Sequence, residues 1–401
     1  MARRSHGKLV AFLAARTRDV AAAEDALADA FAAALADWPR HGVPHTPEAW
    51  LLTVARRRMI DTARQRRTHQ GAADTLQLLA ELSSDDDHGR REIPDHRLAL
   101  MFACAHPAIA AEVRAPLMLQ TILGLDAAAI ASAFLVAPAT MGQRLVRAKA
   151  RIRQAGIPLR VPGLADLGER LEAVLDAIYA AFAAGWSDPA GTDASRRNLA
   201  EEALWLGGLL ASLMPEQAEA LGLLALMLFA QARRAARRDA SGGYVPLDEQ
   251  DTRCWDAAML AQAEALLHRA SAHGQVGRFQ LEAAVQSAHV VRRHTGQTDW
   301  PAIDRLYAAL AALTGSPVVA LNRAVVLAET QGPAPALAQV DSLAADARMA
   351  DYQPFWAARA GLLHRLGRAG EADAAYARAI GLERDPAVRA FLQQRRRAAA
   401  G

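Results

Sequence analysis

Cysteine, lysine and aromatic side chains are all scarce in this 401-residue chain. The two cysteines, Cys104 and Cys254, are far apart, which argues against a disulfide framework and fits a reducing compartment. Aromatic residues make up 5% of the chain while hydrophobic residues reach 52%, so alanine and leucine carry most of the apolar surface. β-Branched residues are sparse and no long alternating run occurs, which argues against a sheet. The most apolar window, "ALGLLALMLFAQA" (220–232), is too short to cross a bilayer. The N-terminus has basic residues but neither the apolar core nor the cleavage site of a signal peptide. The expectation is an all-α, cytoplasmic protein without membrane attachment.

Of 46 basic residues only Lys8 and Lys149 are lysine, and the net charge is a mild +3. The placement of charge is therefore more telling than its total. Arginine also suits phosphates and base edges, because its planar fork presents several donors at once.

Residues 19–38, "DVAAAEDALADAFAAALADW", read as a helix with Asp19 as its cap. Val20, Leu27, Phe31, Leu35 and Trp38 recur at helical spacing and predict its inner face, while Glu24, Asp25, Asp29 and Asp37 lie off it. "PRHGVPHTP" (39–47) reads as a loop. A second helix follows over 48–67, with Trp50, Leu51, Val54, Met59 and Ile60 on its apolar side and six arginines between 56 and 67. Residues 69–95 read as a polar linker, and 96–155 as a further helical domain. "GIPLRVPG" (156–163) breaks the pattern, which sets an expected boundary before a last domain at 164–401.

Within the middle domain, "GLDAAAIASAFLVAPATMGQRLVRAKARIR" (124–153) has the pattern of a helix-turn-helix. Asp126 caps a short helix from which Ile130 and Phe134 point inward. Pro138 opens the next helix, where its missing N–H costs nothing. Met141, Leu145, Ala148 and Ile152 form one apolar stripe on that helix. Thr140, Gln143 and Arg144 sit near its N-terminal end, where a recognition helix reaches base edges. Arg147, Lys149 and Arg151 are better placed for phosphates. By itself the stretch also fits a solvated basic surface helix.

Near the C-terminus "ALNRAVVLAETQG" (320–332) resembles "AARAGLLHRLGRAG" (357–370). Ala324 and Leu327 precede Ala360 and Leu363 by about one repeat period, and Gly332 precedes Gly367 similarly. Trp356, Ala360, Leu363, Gly367, Ala372, Tyr376 and Ala379 have the spacing of a tetratricopeptide-like (TPR-like) helix pair. The last domain is therefore expected to be a helical repeat with a possible protein partner.

Together these stretches resemble the compact extracytoplasmic-function (ECF) sigma factors of bacterial RNA polymerase. "AAAEDALADAFAAAL" resembles the acidic helix of sigma domain two, and "PEAWLLTVARRRMIDTARQRR" its helix that reads the minus-ten element. The 124–153 stretch resembles the domain-four helix-turn-helix that reads the minus-thirty-five element. "MFACAHPAIAAEVRAPLMLQTILGL" (101–125), "EALGLLALMLFAQARRAAR" (219–237) and "SPVVALNRAVVLAE" (316–329) extend the likeness to the ECF group with a C-terminal TPR-like extension. The resemblance implies an all-α protein that binds core RNA polymerase and promoter DNA and starts transcription. It implies polymerase contacts at Glu24, Asp25, Asp29 and Phe31. Minus-ten contacts are implied at Arg40, His41, Trp50, Arg56, Arg57 and Arg58, and minus-thirty-five contacts at Thr140, Gln143, Arg144, Arg147, Lys149 and Arg151. Two departures stand out: Ala127, Ala128 and Ala129 replace polar residues common in relatives, and Gly142 weakens the recognition helix by up to about 1 kcal/mol.

No catalytic constellation accompanies these motifs, and neither an enzyme nor a cofactor is expected. Cys104 and His106 in "CAHP" offer two metal-ligand types but no second pair, so a packing motif is the better reading. The alternative function is a stand-alone DNA-binding regulator or scaffold with a peptide-binding TPR domain. The acidic helix at 19–38 would have no role in it.

Overall fold

A computed structural model describes residues 2–17, 20–66, 93, 95–154, 162–186 and 198–400. The chain divides into two compact units, Met1–Leu213 and Met214–Gly401. Among the described residues there is no strand, only an isolated bridge between Arg238 and Tyr244.

In the first unit, α1 (Ala2–Thr17), α2 (Val20–His41) and α3 (Pro47–Arg66) pack as a three-helix bundle. Leu9, Val10, Leu13, Ala23, Leu27, Ala30, Leu51, Ala55 and Met59 fill its core. Alanine at many inner positions lets these helices pack closely, and the inner face of α2 runs Val20, Ala23, Ala26, Leu27, Ala30 and Ala34. Leu35, expected on that face, is 80% exposed: the small alanines already close the gap, and the stripe turns away from position 35. The helix also runs through Pro39 to His41, where a loop was expected. Asp19 lies outside the described residues.

Helix α1 also packs against α4 (His96–Cys104). Asp95 caps α4, its Oδ1 accepting from the amides of Arg97 (2.8 Å) and Leu98 (3.2 Å). Every residue from Leu98 to Cys104 is buried, as a helix that is apolar all round must be. Helices α5 (Ala111–Thr121), α6 (Ala127–Ala133) and α7 (Pro138–Gln154) follow. The expected linker falls almost wholly on residues outside those described.

Helices α8 (Leu167–Trp186) and α9 (Leu199–Leu213) complete this unit, although they follow the Pro/Gly break at 156–163. The reason lies in their contacts. Helix α8 packs on α4, α5 and α6, and Arg170 donates to the Phe102 carbonyl at 3.0 Å. Arg97 on α4 forms an ion pair with Glu202 on α9 and lies over the Trp205 ring at 4.7 Å.

The second unit begins with α10 (Ala218–Ala232), almost entirely buried between α11 (Ala257–Ala272) and α12 (Arg278–Val290). Glu219 on α10 caps α12, accepting from the amides of Phe279 (2.9 Å) and Gln280 (3.1 Å). The short α13 (Arg292–Thr295) leads into helices that each pack on the next: α14 (Trp300–Thr314), α15 (Pro317–Thr330), α16 (Pro333–Ser342), α17 (Gln353–Arg365), α18 (Ala369–Leu382) and α19 (Pro386–Ala400). The repeated sequence stretches are α15 and α17. Gly332 and Gly367 make the turns that follow them, both at positive φ (93° and 71°), a conformation that side chains disfavour. Ala324, Ala360, Leu363, Ala372, Tyr376 and Ala379 are buried between the paired helices.

Candidate nucleic-acid interface

The basic helix α7 is positioned by its junction with α6. Asp126 Oδ1 accepts from the Ala129 amide at 2.7 Å and fixes the start of α6. Phe134 to Ala137 then turn the chain, with Leu135 at φ 52° and the Val136 amide bonded to the Ala131 carbonyl at 2.9 Å. The chain bends by 109° between Ala127–Ala133 and Pro138–Ile152. Met141 and Leu145 are buried beneath α7, while Ala148 and Ile152 are half-buried. Phe134, expected to point inward, is half-buried and lines a cavity of about 390 Å³.

The outer face of α7 presents Thr140, Gln143, Arg144, Arg147 and Arg151, all exposed. The three arginines have no hydrogen-bond or ion-pair partner among the described residues. Arg144, Arg147 and Arg151 edge a second cavity of about 170 Å³ against Ala108–Ala110. Lys149 differs. It is half-buried and its Nζ donates to Glu24 Oε2 on α2 at 2.8 Å. The structure thus joins a residue expected at DNA phosphates to one expected at polymerase. Cys104 lies beside this pair; burial, then the Glu24 carboxylate, push its thiol up to about 12, with Lys149 opposing. It stays a neutral packing group.

Asp25 and Asp29 are exposed on α2, and Phe31 is half-buried, stacked on His6 with centroids 6.1 Å apart. Arg40 and His41 are exposed in the last turn of α2 rather than in a loop; His41 Nδ1 lies 2.8 Å from Asp37 Oδ1. Trp50 is half-buried, edge-on to Trp38 at 5.6 Å, so its ring serves partly as packing. Arg57 and Arg58 are exposed, whereas Arg56 is half-buried over the Phe12 ring at 5.3 Å. In "CAHP", His106 Nδ1 accepts from the Ala108 amide at 3.1 Å, which staples the loop.

One feature was not legible in the sequence. Glu169, Glu172 and Asp176 on α8 line the larger cavity opposite Arg144, together with Glu112 and Arg114. The three acids share one helical face by their spacing, but only the fold brings that face to the basic helix. Among the described residues no single helix is long and apolar enough to cross a membrane.

Residues 1–69 match the sigma-70 region 2 family. Residues 170–271 match a family of unknown function (DUF6596). An uncharacterised protein of Rhizobium meliloti (strain 1021) is 40% identical over 385 residues, which covers 94% of this chain and 89% of its own. No solved structure matches. The chain carries a sigma-70 region 2 domain at its N-terminus, and over nearly its whole length it belongs to one family with the Rhizobium meliloti protein.

Proposed function

We propose that this protein is an ECF-type sigma factor that binds core RNA polymerase, directs it to promoters and starts transcription. The observation that carries the reading is the combination in one compact unit of a sigma-70 region 2 domain with a bent helix pair whose outer face bears unpaired arginines. In this reading α6 and α7 are a helix-turn-helix. Thr140, Gln143 and Arg144 read minus-thirty-five base edges, and Arg147 and Arg151 hold phosphates. Asp25, Asp29 and Phe31 face the polymerase. Arg40, Arg57 and Arg58 attract the melted minus-ten strand, as cationic side chains do for unpaired nucleic acid. Polymerase supplies the chemistry, so the chain needs no catalytic group of its own.

The Glu24–Lys149 pair gives this reading a closed state. Neither residue can serve its own partner while bound to the other, so polymerase and promoter binding both favour its opening. The second unit is a TPR-like repeat that binds a protein partner or regulates the first.

The test is transcription from a cognate promoter by core polymerase with the purified full chain. Promoter-dependent transcript, lost when Asp25 and Asp29 are both changed to arginine, supports the reading. Duplex DNA binding without any affinity for core polymerase would instead identify a stand-alone regulator.

A further inference from the structure

Many arginines of the second unit are paired with carboxylates. Arg238 has Asp385, Arg323 has Asp304, Arg359 has Asp341, Arg365 has Glu329 and Arg396 has Asp373. Arg233, at the end of α10, is the most buried of these arginines at 9% exposure and has no carboxylate. Its Nε donates to the Phe229 carbonyl at 3.3 Å and its Nη2 to Gln286 Oε1, both neutral. Its Nη1 has no hydrogen-bond partner among the described residues and is not a fully buried atom.

The surroundings make this arrangement costly. Burial and then the positive charges of Arg237 and Arg292 bring Arg233 down to about 10, still cationic at neutral pH. Arg292 is itself held by the carbonyls of Leu247 (2.8 Å), Asp248 (2.9 Å) and Gln250 (3.1 Å), so it is fixed rather than free to retreat. The Trp255 ring stands near both guanidiniums, 6.0 Å from Arg233 and 5.3 Å from Arg292. Trp255 Nε1 and, on a residue whose carbonyl holds Arg292, Gln250 Oε1 are buried polar atoms with no hydrogen-bond partner among the described residues. Buried cations ordinarily have an anion, since desolvation is otherwise uncompensated.

We propose that this cluster is a binding site for the oxyanion group, phosphate or carboxylate, of a small molecule. The anion passes the half-buried Arg237 and Tyr244 and takes the free Nη1 of Arg233, with Trp255 as a wall. A guanidinium suits such a group because its N–H donors are charged, and charge-assisted hydrogen bonds to an oxyanion are the stronger ones. The proposal concerns the second unit alone and does not depend on how the first unit works.

The full-length protein is heated in sodium phosphate, sodium succinate and sodium chloride at equal ionic strength and pH 7. One oxyanion raises the melting temperature of the second unit saturably beyond chloride, by about 5–10 °C at a hundred times its Kd. Which of the two does so identifies the group. In Arg233→Met the saturable shift disappears, while the melting temperature in chloride stays at or above that of the wild type because an uncompensated charge is gone. If that variant fails to fold, Arg233→Lys is read by equilibrium dialysis, with at least a tenfold loss of affinity expected. No shift from either oxyanion, or wild-type binding by the variant that folds, overturns the proposal.

Discussion

The Glu24–Lys149 pair ties α2 to α7, and its strength can be worked from the structure. Two unit charges 2.8 Å apart attract by about 6 kcal/mol at an effective dielectric of about 20. Desolvation offsets most of this, because both ions leave bulk water. The Lys149 and Glu24 side chains keep 25% and 20% of their exposure, which leaves a net coupling of about 1–2 kcal/mol, above that of a surface pair. Glu24→Gln, Lys149→Met and the double variant form a cycle that isolates this term. Each single change should destabilise the first unit by about 1–2 kcal/mol in urea, and the double change by little more than either. In a unit of this size that is a fall of about 2–4 °C in melting temperature per kcal/mol. Glu24→Gln should also release Lys149 and steepen the salt dependence of DNA binding by about one charge. A coupling below about 0.3 kcal/mol would refute the reasoning and leave the pair a surface contact.

Gly7→Ala should cost the first unit more than about 2 kcal/mol, since its Cβ would lie 1.9 Å from the Ile122 carbonyl oxygen, which belongs to backbone and cannot rotate away; denaturant melting checks this. Gly142→Ala should do the opposite. Its Cβ would meet only the Ala127 Cβ, at an ordinary 4.0 Å, so α7 should gain about 0.5–1 kcal/mol with DNA affinity kept. His289 is held down to about 4, first by burial and then by the charges of Arg233 and Arg292. Its unfolded form takes a proton near pH 6.5, so the unfolded chain binds more protons between these values. The contribution is whole above pH 6.5 and is lost as pH falls through 4, at most about 3 kcal/mol; comparing pH profiles of unfolding for wild type and His289→Asn reads it directly.

Much of this protein was legible in its sequence. Helical periodicity needs only local spacing, so the helices at 20–38, 48–66 and 138–153 follow from it, as do the cap at Asp126 and the opening at Pro138. The exposed set Thr140, Gln143, Arg144, Arg147 and Arg151 follows likewise, because one apolar stripe dictates what points away from it. Even the turns at Gly332 and Gly367 were marked, since glycine tolerates the positive φ they require.

Tertiary structure decided what no local pattern encodes. Leu35 and Phe31 have the spacing of core residues, but which part of an alanine-rich face is covered depends on the partner helices. Lys149 and Arg147 look alike in sequence, yet only Lys149 meets a carboxylate, 125 positions away in the chain. The acidic face of α8 comes to Arg144, and Arg233 goes without a counter-charge, for the same reason. A charge's partner is set by distance in space, and desolvation by the packing around it. Neither exists until the helices are assembled.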